Sequence, residues 1–439
     1  MKFEKKVSWK FAIALVLVAS LISTTFVYVL AVSPSSTFTI TSGIYPGAPT
    51  YTIWKEGSNY FAKDANGFIG YSGIDAPTVI QSVFNLNPAS VFFKAGTYDI
   101  SGSTVIAYAP IIIEGEGMSS TISGGTLKVN GTEIEYNNAV RNLHFESSGG
   151  VIQLWFNGVV HGIIEANHFT KTSYSVGIPN LCLTDCLTIR VRDNWFDGFN
   201  MQIIKINGTL ATPPLHIISD NDFGSTGVAF PAYTNPWDVA AIYIKGGTNW
   251  GINILDNLAY LNPKNIFVYS EAKNIIISHN QIACGYDNYV IDLLSTHNEI
   301  VGNYIWMIDD AKGAIAIRDP GNLEGYEFYN VIEGNDIQGA NSEAAIYGVF
   351  HRSIISNNIL SVYRGIELVN SGWNLIQNNY IISLYVAPPA FYGIKETGAS
   401  DYNVLVGNYV NGTYIFLALV GGHTKITACW NNTVWIEHG

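Results

Sequence analysis

The stretch "NEIVGNYI" (298–305) decides the fold, because the chain keeps rewriting it. "NVIEGNDI" (330–337), "SIISNNIL" (353–360), "NLIQNNYI" (374–381) and "NVLVGNYV" (403–410) follow it, while "HIISDNDF" (216–223) and "NIIISHNQI" (274–282) precede it. Aligned on the asparagine before the last apolar pair, the anchors are Asn167, Asn194, Asn221, Asn257, Asn280, Asn303, Asn335, Asn358, Asn379, Asn408 and Asn432. Their spacing has a base near 23 residues with insertions. Helical repeats are longer and need 3.6-residue faces, and leucine-rich repeats need a leucine grid; here apolar residues alternate instead, as in "AAIYIKGG". Each repeat therefore reads as a few short strands wound once around an axis, with coils stacked as parallel sheets about 4.7–4.9 Å apart. Asparagine suits the corner because it tolerates the left-handed conformation. Its amide also hydrogen-bonds along a stack. The expected fold is all-β: a single-stranded right-handed parallel β-helix of about 11–13 coils with an N-terminal capping helix.

Composition agrees. Only 13% of the 439 residues are charged, 13% are aromatic and 42 are glycine, which suits neither disorder nor a helical protein. The formal charge of −12, with no basic stripe, excludes nucleic acid as a partner. Cys182 and Cys186 read as a local disulfide or two buried thiols rather than a metal site, since no further ligands stand at a suitable spacing. Cys284 and Cys429 fall about six coils apart, too far to bond.

Three regions are expected. Residues 1–36 hold Lys2, Lys5, Lys6 and Lys10 before an uncharged run at 11–32, which reads as a membrane anchor or a cleaved signal. Either reading puts the body on the extracellular face of the membrane or in the medium. The sequons at Asn130, Asn207, Asn411 and Asn431 agree with export and mark candidate glycosylation sites. Residues 37–73 read as a small hairpin-rich pre-domain. The β-helix domain follows over 74–439, opened by a capping helix at 76–86 whose Val79, Ile80, Val83, Phe84 and Leu86 would plug the first coil.

The run from 73 to 123 carries an acidic residue before the helix (Asp75), then "FFKAGTYDI", then "IIIEGEG". In that order these resemble the opening of the pectate-lyase-like superfamily of right-handed parallel β-helices, in its polygalacturonase-like and phage-tailspike-like branch. With the repeats, the resemblance covers roughly residues 73–435. It implies a fold that hosts lyases, hydrolases, epimerases and plain binders. The Asn-Thr-Asp, Gly-His-Gly and Arg-Ile-Lys motifs of polygalacturonases are absent.

Alternation in the strand upstream of each corner predicts one outward column of Tyr243, Lys245, Phe267, Tyr269, Asp292, Arg318, Tyr347, Glu367 and Lys395. Rings stack on sugar faces and charged groups orient hydroxyls or carboxylates, so Tyr243, Lys245, Tyr269, Tyr347, Glu367 and Lys395 are the candidate substrate-binding residues. Asp292 and Glu367 lie three coils apart, about 14 Å, too far for a glycosidase pair. Asp309, Asp310 and Asp319 are better partners for Asp292, with Arg318 beside them. A lyase would use Arg318 as base and would take Ca²⁺ on the clustered acids. "LTIRVRDNWFDGF" (187–199) is a second cluster whose arginines read as ordinary outward strand residues, and His144 and His168 read as stacked structural positions. The sequence leaves two functions open. One is an enzyme that cleaves or modifies polysaccharide. The other is a non-catalytic glycan-binding, adhesin or envelope protein, with association into a homo-oligomer undecided.

Overall fold

The computed structural model describes residues 49–131, 137–173, 176–198, 201–208, 215–225, 235–246, 250–262, 264–285, 287–308, 311–318, 329–383, 392–411, 415–431 and 434–438. The apolar run at 11–32 lies outside them, as do Asp309, Asp310, Asp319 and Asn432. Among the described residues no helix is long and apolar enough to cross a membrane.

The two-residue alternation becomes a parallel β-helix with three faces. Face 1 is a sheet of thirteen parallel strands running from Thr104–Tyr108 to Ile415–Ala418. Faces 2 and 3 lie before and after the asparagine corner. Lys273–Ser278 pairs with Glu299–Val301 on face 2, and Gln281–Cys284 with Tyr304–Met307 on face 3. Inward residues stack coil upon coil: Ile277, Ile300, Ile332, Ile355, Ile376 and Leu405 share one register and are all buried. On face 3, Phe145, Phe169, Phe196 and Phe223 stack at 4.9, 4.8 and 5.2 Å. Each such side chain contributes roughly 1.5–3 kcal/mol of burial.

The expected asparagine column forms, with one change of chemistry. Asn167, Asn194, Asn221, Asn257, Asn280, Asn303, Asn335, Asn358, Asn379 and Asn408 are buried in one ladder. The left-handed residue is the one before: Ala166, Asp193, Asp220, Asp256, His279, Asn357 and Asn378 have φ between 53° and 56°. The asparagine itself points inward, because the preceding residue has already turned the chain and left a polar group to satisfy. Asn280 donates its backbone N–H and its amide to Asn303 Oδ1 at 3.0 and 2.9 Å, and its amide also donates to the Ile254 carbonyl one coil back. Register places Cys429, not Asn432, after Asn408, whose amide meets the thiol at 3.8 Å.

A second corner precedes face 2. Asn298, Asn330, Ser353, Asn374 and Asn403 hand hydrogen bonds along it, and the residues before four of them, His297, Arg352, Trp373 and Tyr402, have left-handed φ. His216 takes the equivalent place farther up, where its Nδ1 accepts the Ile189 N–H at 3.1 Å. Burial pushes that imidazole down to about 4. All four cysteines are free and buried, so Cys182 and Cys186 are thiols.

Two elements precede the regular coils among the described residues. Strands β1 (Tyr51–Glu56), β2 (Asn59–Asp64) and β3 (Ile69–Gly73) form an antiparallel meander, and β1 also pairs in parallel with β4 (Ser90–Phe93). The meander is thus continuous with the first coil. Helix α1 (Ala76–Phe84) is capped by Asp75, whose side chain accepts the Thr78 N–H. It buries Ala76, Val79, Ile80, Val83 and Phe84 and ends there, which leaves Leu86 exposed rather than plugging the coil.

Candidate functional site

Face 1 carries its outward residues in strict register: Lys205, Tyr243, Tyr269, Asp292, Ala316, Tyr347, Glu367 and Lys395 occupy successive coils. Six of the predicted positions therefore do share a column. Ala316 holds the place expected for Arg318, which stands two residues on, and Lys245 is likewise two past Tyr243. Phe267 is a correction: it is buried in the core against Phe223, because the corner before its strand turns it inward.

Tyr243 and Tyr269 are also placed differently from expectation. The segment Pro236–Val239 lays Trp237 over them, and Met201, Val239, Ala240 and Ile266 complete a small apolar cluster outside the main core. The Tyr243 hydroxyl donates to Glu271 at 3.0 Å. Neither ring offers a face to solvent.

The centre of the column is different. Asp292 is 1% exposed, and its Oδ2 takes the Arg318 guanidinium at 2.8 Å. Burial pushes the carboxyl up to about 6 although Arg318 and Lys312 act against it. Among the described residues neither Asp292 Oδ1 nor Arg318 Nε has a partner. A buried carboxylate oxygen and a buried guanidinium N–H left unmatched are costly unless something else meets them, although the Arg318 side chain as a whole is partly exposed.

Tyr289 frames the pair. Its ring lies 5.8 Å from the Arg318 guanidinium and stacks on Tyr347 at 5.8 Å, while its hydroxyl donates to Glu343 at 2.8 Å. Burial, then Glu343, raises its phenol far above the usual range, so it stays neutral. The ring fits because position 313 is glycine: a Cβ there would meet it at 2.6 Å. Farther along, Glu367 accepts from Lys395 at 3.0 Å and from the Tyr392 hydroxyl. Tyr289, Glu343 and Tyr392 were not anticipated. The one signal was Gly313 in a strand, which marks a close approach by a neighbour.

Elsewhere, Arg192 and Arg141 alternate with Glu165 and Glu114 as a surface ion ladder on face 2. His144 and His168 stack at 4.7 Å, and His168 pairs with Asp197 at 3.0 Å. Asn130 and Asn207 end their face 1 strands, and Asn411 ends one on face 3; the side chain of Asn431 lies outside the described residues. Among the described residues no three His, Cys, Asp or Glu side chains gather as a cation site. A calcium ion on Asp292 would face the Arg318 guanidinium, so these residues do not fit one.

No family model and no curated protein matches the chain. Among solved structures it is similar to the A-module of mannuronan C-5 epimerase AlgE6 of Azotobacter vinelandii, at 14% identity and TM-score 0.44, over 82% of this chain and 95% of that one. A PL6 alginate lyase in complex with a trisaccharide gives 15% and 0.43, over 82% and 83%. Tailspike protein 3 of bacteriophage CBA120 gives 11% and 0.45, over 82% and 59%. The fold rests on the strand register itself.

Proposed function

We propose that this is an extracellular carbohydrate-active β-helix protein that cleaves or modifies a polysaccharide laid along face 1. The observation that carries the reading is the Asp292–Arg318 pair, a buried carboxyl held by a partly exposed arginine and incompletely satisfied. A carboxyl held at about 6 is poised as a general acid or base near neutral pH. Arg318 holds it in place and keeps an unpartnered Nε–H, the donor a substrate hydroxyl or uronate carboxylate would take. Tyr347 stands in the same column, stacked on the buried Tyr289. Asp309, Asp310 and Asp319 follow in sequence and remain the proposed partner carboxylates. The basic flank and apolar run at 11–32 support an N-terminal anchor or signal, hence an external location.

The test is a panel of neutral and uronate polysaccharides with the full chain, reading reducing ends together with the ultraviolet absorbance of unsaturated uronates. Reducing ends alone mean hydrolysis, the absorbance means elimination, and Asp292→Asn should abolish either. The absence of both signals across the panel refutes cleavage. One observation favours the non-catalytic reading: Glu367, Lys395 and Tyr392 satisfy one another, as on a binding face rather than in a reaction centre.

A further inference from the structure

Stacking along this molecule uses up ring faces. Where aromatic side chains fill consecutive coils of an outer column they lie face to face: Trp373, Tyr402 and His423 at 4.5 Å, Tyr380 and Tyr409 at 4.7 Å. The middle ring of such a stack, Tyr402, is covered on both faces.

One column on face 3 breaks the rule. Gly224, Tyr260, Ala283 and Trp306 follow each other in register, so small residues alternate with large rings. Tyr260 is 64% exposed and Trp306 51%, while Ala283 between them is 8% exposed. Among the described residues neither ring stacks on another. They stand two coils apart, about 9.6 Å. Between the two exposed rings, the place of one ring is held only by the Ala283 methyl group.

We propose that Tyr260 and Trp306 clamp one pyranose of a neutral glycan above Ala283. A pyranose offers apolar C–H faces to the two rings and hydroxyls around its rim. The adjoining column puts the exposed Gln281 beside the gap, flanked by Leu258 and Tyr304. Charge selects against acidic sugars and phosphates. The strands Asp222–Gly224, Leu258–Tyr260, Gln281–Cys284, Tyr304–Met307 and Asp336–Gln338 carry no Lys or Arg, and Asp222 and Asp336 bound the site. The clamp lies on a different face from Asp292 and does not rest on the function proposed for it.

The experiment titrates the full chain with cello-, xylo-, malto- and laminarihexaose, with oligogalacturonate as the acidic control, reading tryptophan fluorescence and calorimetry. At least one neutral hexaose binds at a site that Trp306→Ala removes, and any oligogalacturonate binding is unchanged by Trp306→Ala. Tyr260→Ala and Trp306→Ala, both at exposed rings, each weaken binding about ten-fold or more with the thermal midpoint unchanged. Ala283→Tyr fills the gap and removes binding, while Asp292→Asn leaves it intact. The proposal is overturned if no neutral hexaose binds, if Trp306→Ala weakens oligogalacturonate as much as the hexaose, or if Trp306→Ala leaves hexaose affinity unchanged. A Trp306→Ala change that alters oligomeric mass but not glycan affinity also overturns it, assigning the face to a second copy of the chain.

Discussion

Two columns run the length of this molecule in the same register, and they could hardly differ more. The inner one repeats a single residue from Asn167 to Asn408, each amide bonded to the coil after it and to a carbonyl of the coil before. The outer column of face 1 places a lysine, tyrosines, an aspartate, an alanine and a glutamate at equivalent positions. Inside, the turn before each anchor leaves the same unpaired backbone groups in every coil, so one side chain is the answer everywhere. Outside, the backbone is already satisfied and the side chain is free to differ. Uniformity marks the scaffold, and departure from it marks where chemistry gathers.

The sharpest way to break the comparison is to delete one rung. Asn303→Ala removes the oxygen that accepts both Asn280 donors and the amide that serves Ile277 O and Asn335. Several orphaned groups at about 1–3 kcal/mol each predict a loss of about 4 kcal/mol, measured by denaturant unfolding. His216 gives the next effect, because it does an asparagine's work with a titratable ring. Its folded pKa of about 4 lies below the ordinary 6.5, so its contribution is complete above 6.5 and is lost as pH falls towards 4. The loss is about 3 kcal/mol. His216→Asn should flatten the stability profile between those values.

Asp292 has the opposite sign. Its folded pKa of about 6 lies above the ordinary 3.8, so stability declines as pH rises from 3.8 through 6. Asp292→Asn should therefore stabilise the protein by about 2 kcal/mol near pH 8, after loss of the Arg318 pairing, and change it little near pH 4. The same substitution should remove activity, so stability and function move apart at this residue. The smallest effect belongs to the partly exposed Lys395–Glu367 pair. Lys395→Ala should shift stability by less than about 1 kcal/mol, with binding on a glycan array as the more sensitive readout.

The inner column was legible in the sequence because a buried, repeating geometry accepts one residue type and therefore writes a period. Its end was not: Cys429 takes the last place, and a motif alignment skips a cysteine in favour of the nearby Asn432. The outer column was legible as a set of positions, since alternation fixes which side chains point out. What covers them was not. Trp237 reaches Tyr243 and Tyr269 from a short helical turn between strands, and nothing in the alternation of either strand announces it. Arg318 reaches Asp292 from two residues beyond the column, a matter of side-chain length rather than of period.

The polarity of the ladder has a further consequence. Every rung gives its backbone N–H and an amide hydrogen to the oxygen of the rung ahead and receives the same pair on its own oxygen from behind, so the ladder has one direction along the molecule. Such a molecule is a ruler with interchangeable divisions. Excising residues 280–302 would join His279 to Asn303, whose oxygen would receive from Asn257 what Asn280 receives now. The shortened protein would close without a seam. It would lose Asp292 with the excised division and bring Tyr269 against Ala316, a change of content at constant architecture.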